Sequence, residues 1–363
     1  MAEFKFYFSA AVTMRSFPYL KDMPKFRPLC MLHTQFERKH IEEAMEFIDR
    51  GEVEPLFIDS GAYSVWTGKQ KENIEEYVDY MNSIDKYVAV VAQFDQIPGS
   101  EGRPRMPEDC IESSEVSWKN FLWMYKGLNS PQKLAYVFHQ DEPVSSLQRA
   151  LDWRDDQGRG VGVIGLSGDG NKSEKDIRSW VTEMMHVVKA AAPSRPANKV
   201  HLFGMASEVT VRRAVDILVR NGVDVISDST THMQLGAFGK VCVPFQHQPV
   251  VVSGVQMPRN PEAVKILLDA GLGVDSKKFD FDSEEVQALL GDTPLYLRML
   301  PYKGGDYMYE NMERYMKTLN LTMKQVQSES YIRTAVNMHY MQHKYDEIQD
   351  AKASTGARTK KLF

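Results

Sequence analysis

Eight short apolar, β-rich runs, most of them followed by a segment with helical spacing, occupy the first part of this chain. They are Lys5 to Ala11, Pro28 to Thr34, Pro55 to Ser60, Tyr87 to Asp95, Lys133 to Gln140, Gly160 to Ser167, Lys199 to Met205 and Val223 to Ser229. Runs without polar alternation suit parallel strands buried on both faces. Eight of them alternating with helices predict an α/β fold, a (β/α)8 barrel of TIM type, with a doubly wound open sheet as the main alternative.

The intervening helices are legible in outline. Ile41, Ala44, Met45 and Ile48 share one helical face, and Gly51 supplies a left-handed stop. Ser207 can cap a helix whose Val211, Ala214, Val215 and Leu218 form a buried stripe before Asn221 and Gly222. Ser173 opens another, with Ile177, Trp180, Val181, Met184 and Val188 facing inward and Pro193 closing it. The first crossover, around Pro18 to Pro28, is short and proline-marked, the weakest of the set.

The predicted organisation is a barrel over residues 1–255, a mostly helical extension packed on it over 256–350, and a basic flexible tail over 351–363. A β-like, proline-containing stretch runs from Val241 to Val255. A helix is predicted from Asn260 and Pro261 to Gly271, and a mostly helical stretch from Asp306 to about Tyr345, broken near Asn320.

The 363 residues carry 44 Lys and Arg against 49 Asp and Glu, a net charge of −5. That balance argues against a protein coated in nucleic acid, so any polyanion has to meet a local patch. Cys30, Cys110 and Cys242 are too dispersed for a disulfide framework or a cysteine-rich zinc site, and a reducing cytoplasm is expected. Neither the apolar N-terminal run nor the uncharged stretch from Val241 to Pro258 reads as a signal peptide or a membrane span.

Barrel chemistry sits at the C-terminal strand ends. Asp59, Asp95, His139 with Gln140, and Asp228 occupy those positions, with Gly165 and Gly204 closing the sixth and seventh strands. Taken singly each has a plain structural reading: an Asx-type turn for Asp59-Ser60-Gly61 and Asp228-Ser229, a cap or an arginine partner (Arg103 or Arg105) for Asp95, loop bonding for Gln140. Several carboxylates converging at one mouth are costly to bury without a ligand or partners, which makes them joint candidates for a site.

These strand ends resemble, in order, those of the tRNA-guanine transglycosylases. Phe57 to Ser64 is similar to that family's Asp-Ser-Gly-Gly-aromatic motif, and Gln93 to Pro98 to its Phe-Asp-Glu segment. Val137 to Glu142 resembles its Val-Gln-Gly strand end, Val163 to Gly168 its Gly-Gly-Leu-Ala loop, His201 to Ser207 its Leu-Met-Gly-Val-Gly, and Val223 to Thr231 its Phe-Asp-Cys nucleophile motif.

The resemblance implies base exchange at a glycosidic bond. Asp228 would be the nucleophile at the ribose C1′ and Asp59 the general acid and base. Asp95 would accept from the donor edge of the purine, Gln140 and the backbone N–H of Gly165 would meet its carbonyl edge, and Tyr63 and Phe203 would stack on its faces. Gly204 would belong to the base pocket, and the backbone near Leu166 would face the substituent on position 7.

Ala62, Ser64, Phe203 and Ser229 depart from the family pattern, and its zinc motif of closely spaced cysteines and a histidine after the nucleophile is absent. His139, Asp141, His201, His232 and His247 show no ligand spacing, so neither metal nor cofactor is expected. The missing zinc motif makes the chain most similar to the DNA 7-deazaguanine transglycosylases of bacteriophages and bacterial modification islands. Those enzymes replace guanine in DNA with preQ0 or a relative and so protect it from restriction nucleases. The implied partners are DNA, with tRNA as the alternative, and a free 7-deazaguanine base, in the host cytoplasm if phage-encoded. A non-catalytic nucleic-acid-binding subunit on the same fold is a further alternative. For a polymer substrate, Lys69, Lys71, Arg103, Arg105 and Lys240 are the candidate basic strip at the barrel mouth, against the plain reading of scattered solvated charges.

Overall fold

The structure, a computed structural model, describes residues 2–9, 16, 19, 30–68, 73–100, 103–192, 199–252, 265–266, 269–271, 288–289 and 305–353. The chain divides into two compact units. One comprises residues 1–11, 27–229 and 345–363, the other 12–26 and 230–344. The division thus follows Ser229, earlier than residue 255.

The first unit is a closed barrel of eight parallel strands. Its described elements are β1 (Phe4–Ser9), β2 (Cys30–His33), α1 (Thr34–Asp49), β3 (Leu56–Asp59), α2 (Ala62–Trp66), α3 (Ile74–Ser83), β4 (Val88–Ala92), α4 (Pro107–Gly127), β5 (Leu134–His139), α5 (Val144–Asp152), β6 (Val163–Ser167), α6 (Glu174–Ala191), β7 (Lys199–Phe203), α7 (Glu208–Ile217) and β8 (Asp224–Ser229). Pairing of β1 with β8, Tyr7 opposite Asp228, closes the ring. All eight runs anticipated from sequence are strands, and the open-sheet alternative is excluded by that closure. The first crossover, Pro18 to Pro28, lies almost wholly outside the described residues.

Strand alternation sorts the side chains into two layers. Tyr7, Phe57, Val90, Ala92, Ala135, Val163 and Ile226 form an apolar cluster inside the barrel, with Phe203 packed against it. Residues of the opposite phase face the helices. Phe4 and Phe6 belong to that outer layer, where Tyr345 stacks on Phe6 with ring centroids 4.3 Å apart and donates from its hydroxyl to the Ala206 carbonyl. The outer face of β1 is therefore covered by a helix end contributed from the far end of the sequence. Burying each such aromatic stabilises the fold by about 1.5–3 kcal/mol.

The caps follow the expected chemistry. The Ser207 and Ser173 hydroxyls accept from the N–H groups of Thr210 and Asp176, and Gly222 sits at φ 83° where the chain turns back into β8. The second unit contains α8 (Thr231–Ala237), an antiparallel pair β9 (Lys240–Val241) and β10 (Val250–Val251), α9 (Gly305–Thr318), α10 (Met323–Ser328) and the part of α11 (Ser330–Ala353) before Tyr345. Asn320 takes φ 55° at the break between α9 and α10. Within this unit Arg333, buried, donates to the carbonyls of Gly236 and Gln327, and Asn337 bonds the backbone of His232, Lys240 and Cys242. The start of the helix predicted from Asn260 and the tail after 353 lie outside the described residues. No described helix is long and apolar enough to cross a membrane.

Candidate active site at the barrel mouth

The inner phase of the strands changes character at their C-terminal ends. Two residues beyond each core position, Tyr7 gives way to Ser9, Phe57 to Asp59 and Ile226 to Asp228, while Ala135 leads through Val137 to His139. An apolar plug therefore carries a polar layer at the mouth, and the period of two that built the plug aims these groups inward.

Asp228, 5% exposed, accepts three hydrogen bonds. The Ser9 hydroxyl donates to Oδ2 at 2.7 Å, while His201 Nε2 and the Gly204 N–H both reach Oδ1 at 2.9 Å. The Gly204 N–H can take this aim because its φ is 64°, a conformation that favours glycine. Gly204 thus serves the carboxylate through its backbone N–H. His201 is fully buried, its ring packed edge-on against Phe57 and Phe203, and burial holds its pKa below the ordinary value against the pull of Asp228. Among the described residues its Nδ1 has no hydrogen-bond partner. A neutral ring with the proton on Nε2 leaves only an acceptor unserved, so that tautomer fits the site.

Asp59 behaves differently. Burial, and then the charges of Asp95 and Asp228, push its carboxyl up to about 7, although the N–H groups of Gly61 and Ser60 favour the charged form. The Asx-type turn and the chemical candidate are thus one residue. Asp95 lies three residues past the end of β4. It takes a 2.7 Å bond from His139 Nε2 at Oδ2 and a long one, 3.4 Å, from the Ser60 hydroxyl at Oδ1. Its partner is therefore a histidine and not Arg103 or Arg105. Glu142 underlies this pair, accepting from the His139 N–H and the Ser113 hydroxyl.

The remaining candidates fall less simply. Gln140 is buried and its side-chain carbonyl accepts from the Asp169 N–H, so it holds the loop after β6. Gly165 lies within β6, in register with Val137 on one side and His201 on the other, so its N–H belongs to the sheet ladder. What Gly165 contributes is space: a Cβ there would come 2.5 Å from Phe203 Cε2. Leu166, one residue out of phase, is buried toward the helices.

Phe203 fills the barrel interior above Gly165, with ring contacts to Phe57 and His201. Tyr63, on α2, is 57% exposed and packs against Trp66. One aromatic is inside and the other at the surface.

Arg105 is no rim cation. Its side chain is buried, donates to the Gln140 carbonyl at 2.8 Å and lies 3.6 Å from Asp169. Arg103 is exposed, Lys240 is in β9 of the second unit, and Lys69 and Lys71 lie outside the described residues. Among the described residues no three His, Cys, Asp or Glu side chains form a group able to hold a metal ion, and Asp141 is paired with Lys172 instead. A cavity of about 660 Å³, walled by Tyr125, Trp153, Arg154 and Arg159 among others, lies at the opposite, N-terminal end of the strands, away from the carboxylates.

Ser9 is left out of the site read from sequence, and His139 and His201 are set aside. Their signal was phase: His201 shares the inward phase of Phe203, and Ser9 that of Tyr7.

No protein-family model matches the chain, and no curated protein does. Among solved structures it is similar to a probable tagatose 6 phosphate kinase from Sinorhizobium meliloti 1021, at 8% identity over 95% of this chain and 99% of that one, with a TM-score of 0.46. It is also similar to the YdjI aldolase from Escherichia coli K12, at 12% identity over 65% and 78%, TM-score 0.34. A third is a fructose-bisphosphate aldolase from Campylobacter jejuni, at 10% identity over 88% and 91%, TM-score 0.27. The chain is a TIM-type α/β barrel with a helical C-terminal region, established by its own strand pairing.

Proposed function

We propose that this chain is a base-exchange transglycosylase that replaces guanine in DNA with a 7-deazaguanine, preQ0 or a derivative, and so shields the DNA from restriction nucleases. The observation that carries the reading is the contrast between two carboxylates at one mouth. Asp228 is fixed by three donors as an acceptor, while Asp59 is poised near neutrality. Carboxylates held in surroundings this different divide into nucleophile and proton handler.

In the first step a lone pair of Asp228 bonds to C1′ as the bond from C1′ to the base breaks, and Asp59 supplies the proton to departing guanine. In the second, Asp59 takes the N–H proton of the incoming base, which attacks C1′ and returns the electron pair to Asp228. Asp95, oriented by His139, is placed to accept from the donor edge of the base, and exposed Tyr63 offers a stacking face. DNA is preferred over tRNA because the cysteine motif of the tRNA enzymes has no counterpart in the sequence. A purely binding subunit has no use for a proton handler tuned to about 7.

The test is incorporation of labelled 7-deazaguanine into duplex DNA and, in parallel, into tRNA. Incorporation into DNA that disappears in Asp228→Ala supports the proposal. Incorporation into tRNA alone overturns the substrate, and wild-type rates in Asp228→Ala overturn the mechanism.

A further inference from the structure

The two oxygens of Asp228 are not equivalent. Among the described residues, Oδ1 receives two donors, His201 Nε2 and the Gly204 N–H, both at 2.9 Å, whereas Oδ2 receives only the Ser9 hydroxyl. A carboxylate oxygen has about two lone-pair sites, so Oδ1 is saturated and Oδ2 keeps one. His201 cannot easily withdraw its bond, since its fully buried ring is wedged against Phe57 and Phe203.

We infer that Oδ2 is the attacking atom, and that His201 is a positioning residue that drives breakdown of the covalent intermediate more than its formation. This rests on the base-exchange reading above. When Oδ2 bonds to C1′, Oδ1 becomes the carbonyl oxygen of a neutral ester. Donors aimed at Oδ1 bind a carboxylate more strongly than an ester carbonyl. They therefore favour the free carboxylate and give little help to the attack that consumes it. On the return step the bond from Oδ2 to C1′ breaks, its electron pair goes back to the carboxylate, and charge grows on Oδ1. The same two donors strengthen as that happens, in the manner of groups preorganised toward developing charge. His201 thus keeps the sugar from being stranded on the enzyme.

The assignment predicts a signature that a merely structural residue does not produce. In His201→Phe the ring volume is kept and the donor is lost. Release of the first guanine should stay within about threefold of wild type, while transfer to the incoming base slows by roughly 10²-fold, the scale for loss of one such donor. DNA covalently attached to the protein should then accumulate. His201→Gln, which can restore an N–H donor at similar reach, should recover the second step by at least tenfold over His201→Phe.

The measurement is single-turnover exchange with labelled guanine in duplex DNA. It follows released guanine, incorporated 7-deazaguanine and denaturant-stable protein–DNA adduct, with circular dichroism reporting the folding of each variant. If both steps slow equally in folded His201→Phe, or if folded His201→Gln shows no recovery, the positioning role is wrong while base exchange stands. If His201→Phe fails to fold, His201→Gln decides alone, because a weaker donor must still raise the adduct fraction above wild type and an unchanged fraction refutes the inference. If wild-type protein exchanges no guanine and forms no adduct in DNA or tRNA, the base-exchange reading fails and this inference with it.

Discussion

His139 Nε2 lies 2.7 Å from Oδ2 of Asp95, a buried bond that ties the end of β5 to the loop after β4. Both side chains are withdrawn from water, so removing one takes from the other its shortest hydrogen bond. His139→Phe is expected to lower unfolding free energy by about 1–3 kcal/mol in a urea titration. Adding Asp95→Asn should recover part of that loss. Strict additivity of the two changes would show that the bond contributes nothing.

Asp59 links site and stability through pH. Its folded value of about 7 lies above the ordinary 3.8, so the folded state holds the proton more tightly. The associated stability is fully present below about pH 4 and is lost as pH rises through 7. Relative to wild type, Asp59→Asn should be more stable at pH 8 than at pH 5 by about 2–4 kcal/mol. Thermal melts at the two pH values check this, and a pH-independent difference contradicts the shift.

Asp95 is the larger of the two charges acting on Asp59. Neutralising it in Asp95→Asn should move the titration of Asp59 down by roughly 1 unit. On the proposed chemistry, the limb of the exchange profile that falls as Asp59 deprotonates moves down with it. A pH–rate profile under single-turnover conditions reads the shift.

Gly165 and Phe203 share one volume. Gly165→Ala places a methyl where the Phe203 ring stands, and overpacking of this kind costs about 1–3 kcal/mol. Combining it with Phe203→Leu should restore part of the loss in a denaturation series, whereas the same second change beside a remote core substitution should not.

The arginines of the loop after β4 should separate cleanly. Arg105→Met removes a buried tie to Gln140 and Asp169, and, on the proposed DNA substrate, should lower stability without altering the salt dependence of binding. Arg103→Ala, at an exposed position, should do the reverse. With Lys69 and Lys71 also neutralised, the slope of log affinity against log salt should flatten by about 1 for every phosphate that the protein no longer neutralises.

Strand identity was legible because burial on both faces demands continuous apolar runs, and Phe57, Val90, Ala135 and Ile226 each lie in one. The helical stripes and the Ser173 and Ser207 caps were legible for the same local reason: each is set by neighbours within a turn or two. So was the position of Asp59 and Asp228 at strand ends, where a run of apolar residues meets a carboxylate.

Partnership was not legible. That Asp228 would be gripped by Ser9 and His201, Asp95 by His139, and the outer face of β1 by Tyr345 depends on pairings between residues separated by 27 to more than 300 positions. Closure of the ring determined the partners of Asp228 and Asp95, by turning one phase of the strands toward a common axis, while Tyr345 packs on the opposite phase. The sequence by itself determined that polar groups would end these strands. Only the tertiary structure decided which of them hold each other and which, like Asp59, are pushed toward neutrality by burial and neighbouring charge.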